Sequence, residues 1–439
     1  MAPSRWSERR LLARLAAPLV LGHAGSQLMG VVDTAMVGHL SKAALGGVGL
    51  GGAIWFGLTS IGMGVIMGVD APIAQALGAG EPARARRVLW QGVRLAVIWG
   101  LALTALLAIA PLALPALGVK AGVAANCRGL VWARLPNVIP FLIFVAQRSY
   151  LQAVGVTRPI VLATVVGNLV NLLLDWLFIY ELGLGATGAG LATSLVSIAM
   201  VVVLAAAITR APAPADPQRR AADPVLARTV MALGLPLGLQ IFAEVLVFAF
   251  AGVFASRLSE TAAAAHQIAI NLASLTFTMA LGIGAATSVR VGHHIGHGDT
   301  PAARRAGSDG LLLSLVVMGT GGLVFIGLGH PLSALLARDG DVVGLATTLL
   351  AIAAVFQLSD GIQSVAAGAL RGAGDTRSVL VANLIGHYAV GLPVSLFLGI
   401  HLGHGAPGLW WGLSAGLTAT AILLVIRFRA ITRHAIARV

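Results

Sequence analysis

The chain has 439 residues, 58% of them hydrophobic and only 10% charged, with a mean hydropathy of +0.91. So little charge cannot cover the surface of a water-soluble domain of this length, which places the chain among integral membrane proteins. A formal net charge of +13 would suit a nucleic-acid binder if the basic residues formed a patch, but they stand in short clusters between long apolar runs, as orientation signals in a bilayer do.

The first residues carry Arg5, Arg9, Arg10 and Arg14 ahead of an apolar run, a pattern shared with signal peptides. The run continues through Asp33 without a small-residue cleavage site, so it reads as the first membrane helix. A helix needs about 20 predominantly apolar residues to cross the hydrocarbon core. That window predicts twelve spans: 13–39, 47–78, 88–116, 125–152, 159–181, 187–209, 227–257, 263–296, 305–336, 342–370, 377–401 and 406–428. An all-α membrane protein of two six-helix bundles is expected.

With the amino terminus inside, the inner segments collect twenty basic residues, from Arg5 to Arg438, and the outer ones only Lys42, Lys120, Arg257 and Arg338. The asymmetry puts both termini in the cytoplasm. Arg94, Arg128, Arg134, Arg148 and Arg290 fall within or near spans, where snorkelling or internal pairing is expected. After the sixth span, residues 210–226 are rich in Ala, Pro, Arg and Asp and read as a cytoplasmic linker with no fold of its own. The expected domains are 1–209 and 227–439.

The two sides of that linker repeat each other. A shift of 218 lays Pro18-Leu19 on Pro236-Leu237, Leu40-Ser41 on Leu258-Ser259, Gly78 and Gly80 on Gly296 and Gly298, and Arg86-Arg87 on Arg304-Arg305. A shift of 219 lays the segment from Leu151 to Arg158 on that from Leu370 to Arg377. Units of six spans run the same way through the membrane, as in transporters whose halves are related by an axis along the membrane normal.

Acidic residues inside spans cost roughly 2.5 to 3.5 kcal/mol on insertion scales and ask for a reason. Asp33 and Asp175 fall in the outer halves of spans 1 and 5, Asn171 lies one turn before Asp175, and Thr193 is near the outer end of span 6. Two carboxylates, an amide and a hydroxyl supply hard oxygen ligands for a sodium ion (Na+), or a pair that shares a proton (H+). In the second half, Glu244 has Gln240 one turn earlier, and Asp360 has Gln357 three residues before it. The alternative for every one of these is a polar network that only holds helices together. Asp70 lies nearer the inner end of span 2, within reach of water or a basic loop.

Other signals point elsewhere and carry less. Gly412-Leu-Ser414-Ala-Gly416 matches the serine-hydrolase elbow but lies inside a helix, where small residues allow close packing. An intramembrane hydrolase would need Ser414 beside a base such as His387. His266 starts span 8 and is either a helix-end hydrogen bonder or a proton relay. Cys127 stands alone, no Cys/His cluster has zinc spacing, and no nucleotide-binding motif is present, so neither a structural metal, a cofactor nor ATP drive is expected.

Several stretches together resemble the multidrug and toxic compound extrusion (MATE) family: Gln27-Leu-Met-Gly-Val-Val-Asp33-Thr-Ala-Met-Val-Gly-His39, Asn168-Leu-Val-Asn171-Leu-Leu-Leu-Asp175, Ala264-Ala-His-Gln-Ile268 and Gly368-Ala-Leu-Arg-Gly-Ala-Gly-Asp-Thr376. The resemblance spans nearly the whole chain. It implies two helix bundles around a central cavity and exchange of Na+ or H+ for organic, often cationic, drugs. It also implies that Asp33, Asn171, Asp175 and Thr193 form the amino-lobe cation site of the DinF-like branch, binding Na+ if coupling is to sodium. Glu244 and Asp360 match carboxylates of the NorM-like branch, whose tyrosine one turn before the aspartate is Phe356 here. The expectation is a monomeric efflux antiporter of the bacterial inner membrane, in contact with membrane lipids and small organic cations but not nucleic acid. A lipid-linked precursor flippase of the same superfold is the rival, and would be expected to carry a strongly cationic cavity.

Overall fold

A computed structural model describes residues 5–211, 216 and 220–439, so residues 212–215 and 217–219 of the 210–226 linker lie outside the described residues. Among the described residues, twelve helices are long and apolar enough to cross a membrane: α1 (Glu8–Gly38), α2 (Lys42–Gly78), α3 (Pro82–Ala113), α4 (Ala121–Ala153), α5 (Arg158–Glu181), α6 (Gly185–Arg210), α7 (Pro224–Leu258), α8 (Glu260–Gly296), α9 (Thr300–Leu336), α10 (Gly340–Ala373), α11 (Thr376–His401) and α12 (Gly405–Ile431). Each contains its predicted span almost entirely. Several begin earlier, at Lys42 rather than 47 and at Thr300 rather than 305, because an apolar window passes over a polar first turn. Those turns are held by caps: Ser41 accepts from the Ala44 amide at 3.0 Å, its repeat partner Ser259 from Ala262 at 2.9 Å, and Asp299 from Ala302 at 2.8 Å.

The exterior suits hydrocarbon rather than water. Ile98, Leu101 and Ile109 on α3 and Leu323 and Ile326 on α9 are exposed large apolar side chains, more than a soluble protein leaves uncovered.

The chain forms two compact units, and compactness divides it differently from the expected 1–209 and 227–439. One unit is Leu21–Gly238; the other is the segment ending at Val20 together with Leu239–Val439. Each boundary falls two residues after a repeat-related proline inside a helix, Pro18 in α1 and Pro236 in α7. Close glycine contacts give the reason. Within the first unit, Gly64 and Gly68 of α2 let the backbone of α7 around Gly238 and Gly234 approach so closely that a Cβ would collide. Gly282 of α8, the repeat partner of Gly64, does the same for the backbone of Val20 in the second unit. The first half of each repeat's opening helix therefore packs with the other repeat. At the start of α1, Glu8 receives both arms of the Arg290 guanidinium at 2.7 Å, and Arg9 pairs with Asp309 at 2.7 Å.

Among the described residues, α4, α5 and α11 leave regular α-helical geometry within their lengths. In α4 the α-helical segment ending at Ala133 gives way to a 3₁₀ turn, Leu135–Asn137, before helix resumes at Val138. In α5 the regular helix ends at Asp175 and widens into a π turn, Trp176–Glu181. In α11 two π segments, Ile385–Gly391 and Phe397–His401, flank a short α-helical piece. Such bulges are frequent at functional sites.

Candidate functional sites, one in each unit

In the Leu21–Gly238 unit, the predicted amino-lobe residues converge. Asp33 of α1 is 1% exposed, and Asn171 and Asp175 of α5 are both 0% exposed. Thr193 of α6 places its hydroxyl 2.8 Å from Asp33 Oδ2 and 3.0 Å from the Ala189 carbonyl, so its single proton serves one acceptor at a time. Asp175 faces Asp33, and no side-chain donor reaches either of its oxygens. A hydrogen bond between the two carboxylates exists only when one carries a proton.

The residue that sequence reasoning missed is Arg134. Its Nη2 lies 2.5 Å from Asp33 Oδ2 and 3.4 Å from Thr193 Oγ1, and its guanidinium sits 5.8 Å from the centre of the Trp55 ring. The interruption of α4 positions it: Pro136 cannot donate to the helix, the regular segment stops at Ala133, and the Ala133 carbonyl accepts from Ser194 of α6 at 2.8 Å. The signal in the sequence was an in-span arginine two residues before a proline. By sequence alone it is one of five arginines within or near spans for which snorkelling or internal pairing is expected. Arg290 also pairs internally, while Arg128 and Arg148 lie over the Trp132 and Phe144 rings.

These oxygens are of the hard kind that a small cation takes. Asp33 Oδ1, both Asp175 oxygens and Asn171 Oδ1 are buried without a hydrogen-bond partner, four oxygens from three side chains, and the Asn171 Nδ2 donor is unpartnered too. Among the described residues, no three His, Cys, Asp or Glu side chains gather as a metal site, so sodium here would depend on the Asn171 amide beside the two carboxylates. With both carboxylates ionised, Arg134 leaves the cluster one negative charge. A single proton or a single sodium ion cancels it.

In the other unit, Glu244 of α7 accepts from Gln240 at 2.7 Å, from Gln363 of α10 at 3.2 Å and from Asn383 of α11 at 3.3 Å. Asp360, 5% exposed, lies close enough to feel the Glu244 charge. Gln363 and Asn383 were not predicted; ordinary amides in apolar helices carry no mark of their partner. Gln357 turns away toward α9, where its Oε1 lies beside Gly321. Phe356 sits in an aromatic cluster, 6.0 Å from Phe248 and 5.5 Å from Trp410 between ring centres.

Three further residues separate from these clusters. His266 is buried and accepts at Nδ1 from Trp410 Nε1 at 3.2 Å, which fixes it as a neutral hydrogen-bonding partner of an indole. Asp70 begins the second segment of α2, Asp70–Gly78, where a carboxylate suits the positive end of the helix. Ser414 donates to the Trp410 carbonyl at 2.9 Å, and neither ring nitrogen of His387 meets a hydrogen-bond partner, so the arrangement needed for a hydrolase is not made.

Comparison with known proteins agrees with this architecture. The family model MatE matches residues 18–177 and again 236–397, the two halves of the repeat. The chain is 36% identical over 431 residues to a probable multidrug resistance protein NorM of Burkholderia mallei, covering 95% of this chain and 91% of the relative. It is 31% identical over 442 residues to the multidrug resistance protein MdtK of Edwardsiella ictaluri, covering 98% and 97%. Among solved structures, the eukaryotic MATE transporter AtDTX14 superposes with a TM-score of 0.89 at 21% identity, covering 98% of each chain. An outward-facing multidrug resistance MATE transporter of the MOP superfamily gives a TM-score of 0.90 at 19% identity, covering 97% of this chain and 96% of that one.

Proposed function

The chain belongs to the MatE family, and from that premise we propose that it is a secondary active multidrug efflux antiporter. It exchanges Na+ or H+ for small organic, often cationic, compounds by alternating access. The observation that carries the reading is the buried group of Asp33, Asp175 and Arg134, in which two carboxylates face a single guanidinium, so that with both ionised it would hold one negative charge more than it can pair internally. An unpaired buried charge is unfavourable, so the group draws a cation from whichever side the unit opens to. Uptake neutralises it and relieves the repulsion between the carboxylates. Asp33 stays tied to Arg134, and Asp175 changes state.

The membrane potential favours inward movement of one positive charge by about 2.3 kcal/mol per 100 mV, which supplies part of the driving force for export. Both termini lie in the cytoplasm in this reading, supported by the surplus of arginine in the segments on that side. The protein works as a monomer in the bacterial inner membrane. Glu244 and Asp360 supply a second acidic site, for coupling or for a cationic substrate. The acidic character of both sites weighs against a lipid-linked precursor flippase, whose anionic cargo asks for a cationic cavity.

The test is efflux of a fluorescent cationic dye from proteoliposomes under a sodium or a proton gradient imposed separately, with wild type and Asp33→Asn. Gradient-driven efflux that the variant lacks supports the reading and names the ion. Full activity in Asp33→Asn, or indifference of the wild type to both gradients, overturns it.

A further inference from the structure

A cavity of about 200 Å³ lies in the Leu21–Gly238 unit at the ends of α3, α4 and α6, away from the carboxylate cluster. Leu89 and Val93 give it apolar walls, and Arg86, Trp90, Gln147 and Arg220 give it polar groups. Arg86 is 8% exposed and donates to the Ile208 carbonyl, which fixes its guanidinium in the wall. Arg220 is held with its guanidinium 4.5 Å from the centre of the Trp90 ring, and its own carbonyl accepts from Arg94. Among the described residues, two polar atoms on this lining have no partner: the Trp90 Nε1 donor and the Oε1 acceptor of Gln147, a residue only 6% exposed. Leaving such groups buried and unbonded costs about 1 to 3 kcal/mol each, so they ask for a ligand with both an acceptor and a donor.

The internal repeat provides a comparison within the same molecule. Arg86 has its counterpart in Arg304, but Gln147 corresponds to Ala366, which is 0% exposed in an apolar core, and Leu89 corresponds to Gly307, against which the buried Phe428 ring packs. At the Gln147 and Leu89 positions the fold therefore needs only small residues. The indole and the amide are additions peculiar to one half, Trp90 corresponding to Ser308, whereas Arg220 falls on Arg438 at the same shift of 218.

We propose that this cavity binds the headgroup of an anionic phospholipid bearing a free hydroxyl, of the phosphatidylglycerol kind. The phosphate lies between Arg86 and Arg220 and accepts from Trp90 Nε1, the headgroup hydroxyl donates to Gln147 Oε1, and the acyl chains leave along Leu89 and Val93. A cationic drug is repelled by the two guanidinium groups. A free phosphate leaves the apolar walls unused. Basic pockets at the ends of membrane helices are a recurrent place for acidic lipids. The inference goes beyond the antiporter reading and does not depend on which ion is coupled.

Native mass spectrometry of the full chain in detergent, with phosphatidylglycerol or phosphatidylcholine of the same acyl chains, tests it alongside thermal unfolding. The wild type retains phosphatidylglycerol about tenfold better than phosphatidylcholine, and Arg220→Gln and Gln147→Leu each lower that preference severalfold, as loss of one charged or buried hydrogen bond would. Arg220 is exposed, so its variant folds, and Trp90→Phe, which keeps an aromatic face but removes the donor and shrinks the ring, lowers retention in the same direction. Equal retention of the two lipids, or variants that match the wild type, overturns the proposal. So does an equal thermal shift with inorganic phosphate or glycerol phosphate, which would make the ligand a free anion.

Discussion

Arg134 Nη2 stands 2.5 Å from Asp33 Oδ2 inside a helix bundle, with Asp33 1% exposed. A predicted cation-binding carboxylate therefore already has a tethered cation at one of its oxygens. Breaking such a pair leaves an uncompensated buried charge, which costs about 3 to 5 kcal/mol, whereas removing both partners can be close to neutral. Arg134→Gln and Asp33→Asn are each expected to lower the unfolding midpoint in detergent by several degrees, and the double variant to recover most of the loss. None of the three transports. Additive losses in the double variant would show that the two side chains are not coupled.

Asp175 has the opposite character. It is 0% exposed and no donor reaches its oxygens, while Asp33 keeps its bond to Arg134 whatever Asp175 does. Replacing it with asparagine removes a buried charge without breaking a pair. Asp175→Asn is expected to unfold at the same temperature as wild type or higher, and to lose at least about 90% of gradient-driven efflux, more than 1.4 kcal/mol on the transport step. Efflux within twofold of wild type in that variant would remove Asp175 from the coupling site.

Glu244 is gripped by three amide donors, from Gln240, Gln363 and Asn383. An amide in its place has one acceptor oxygen and turns its own N–H groups toward those donors. Glu244→Gln should cost about 1 to 3 kcal/mol of stability. If Glu244 holds the cationic substrate, the same change raises the half-saturating dye concentration about tenfold while leaving cation binding at the other unit unchanged. A variant with normal half-saturation but altered dependence on the ion gradient would assign Glu244 to coupling instead.

These sites show what a sequence can and cannot display. The spans were readable because each is a long apolar run, and Asp33, Asp175, Glu244 and Asp360 because a lone acid in such a run is conspicuous. Thr193 beside Asp33 and Gln240 beside Glu244 were legible too, but other partners of these acids were hidden. Arg134 reaches Asp33 only because α4 is interrupted between Ala133 and Val138, and a hydropathy window does not register that interruption. Gln363 and Gln357 lie on one helix and look alike in sequence, yet one reaches Glu244 and the other turns to Gly321. The exchange of the first halves of α1 and α7 was equally silent, since apolarity buries a helix without saying against what. Its trace was the repeat-related pair Pro18 and Pro236, which entered only as evidence of duplication.

That exchange carries a last prediction. The first half of α1 is fastened by Glu8, which takes two hydrogen bonds from Arg290 at 2.7 Å and lies 3.2 Å from His294 Nε2. The side chains are only 10% and 14% exposed for Glu8 and Arg290, so the pair is far better shielded than Arg84 and Glu81, which are 35% and 39% exposed at 3.4 Å. A two-armed, shielded bond is strong, while exposed pairs contribute little. Glu8→Gln should therefore destabilise the protein by about 2 to 4 kcal/mol, and Glu81→Gln by less than about 0.5 kcal/mol. Limited proteolysis supplies a second readout. In Glu8→Gln, but not in Glu81→Gln, sites before Pro18 should become cleavable at protease concentrations that leave the remaining helices intact. Equal behaviour of the two variants would mean that apolar packing around Val20 and Gly282, and not the Glu8 fork, holds the start of α1 in place.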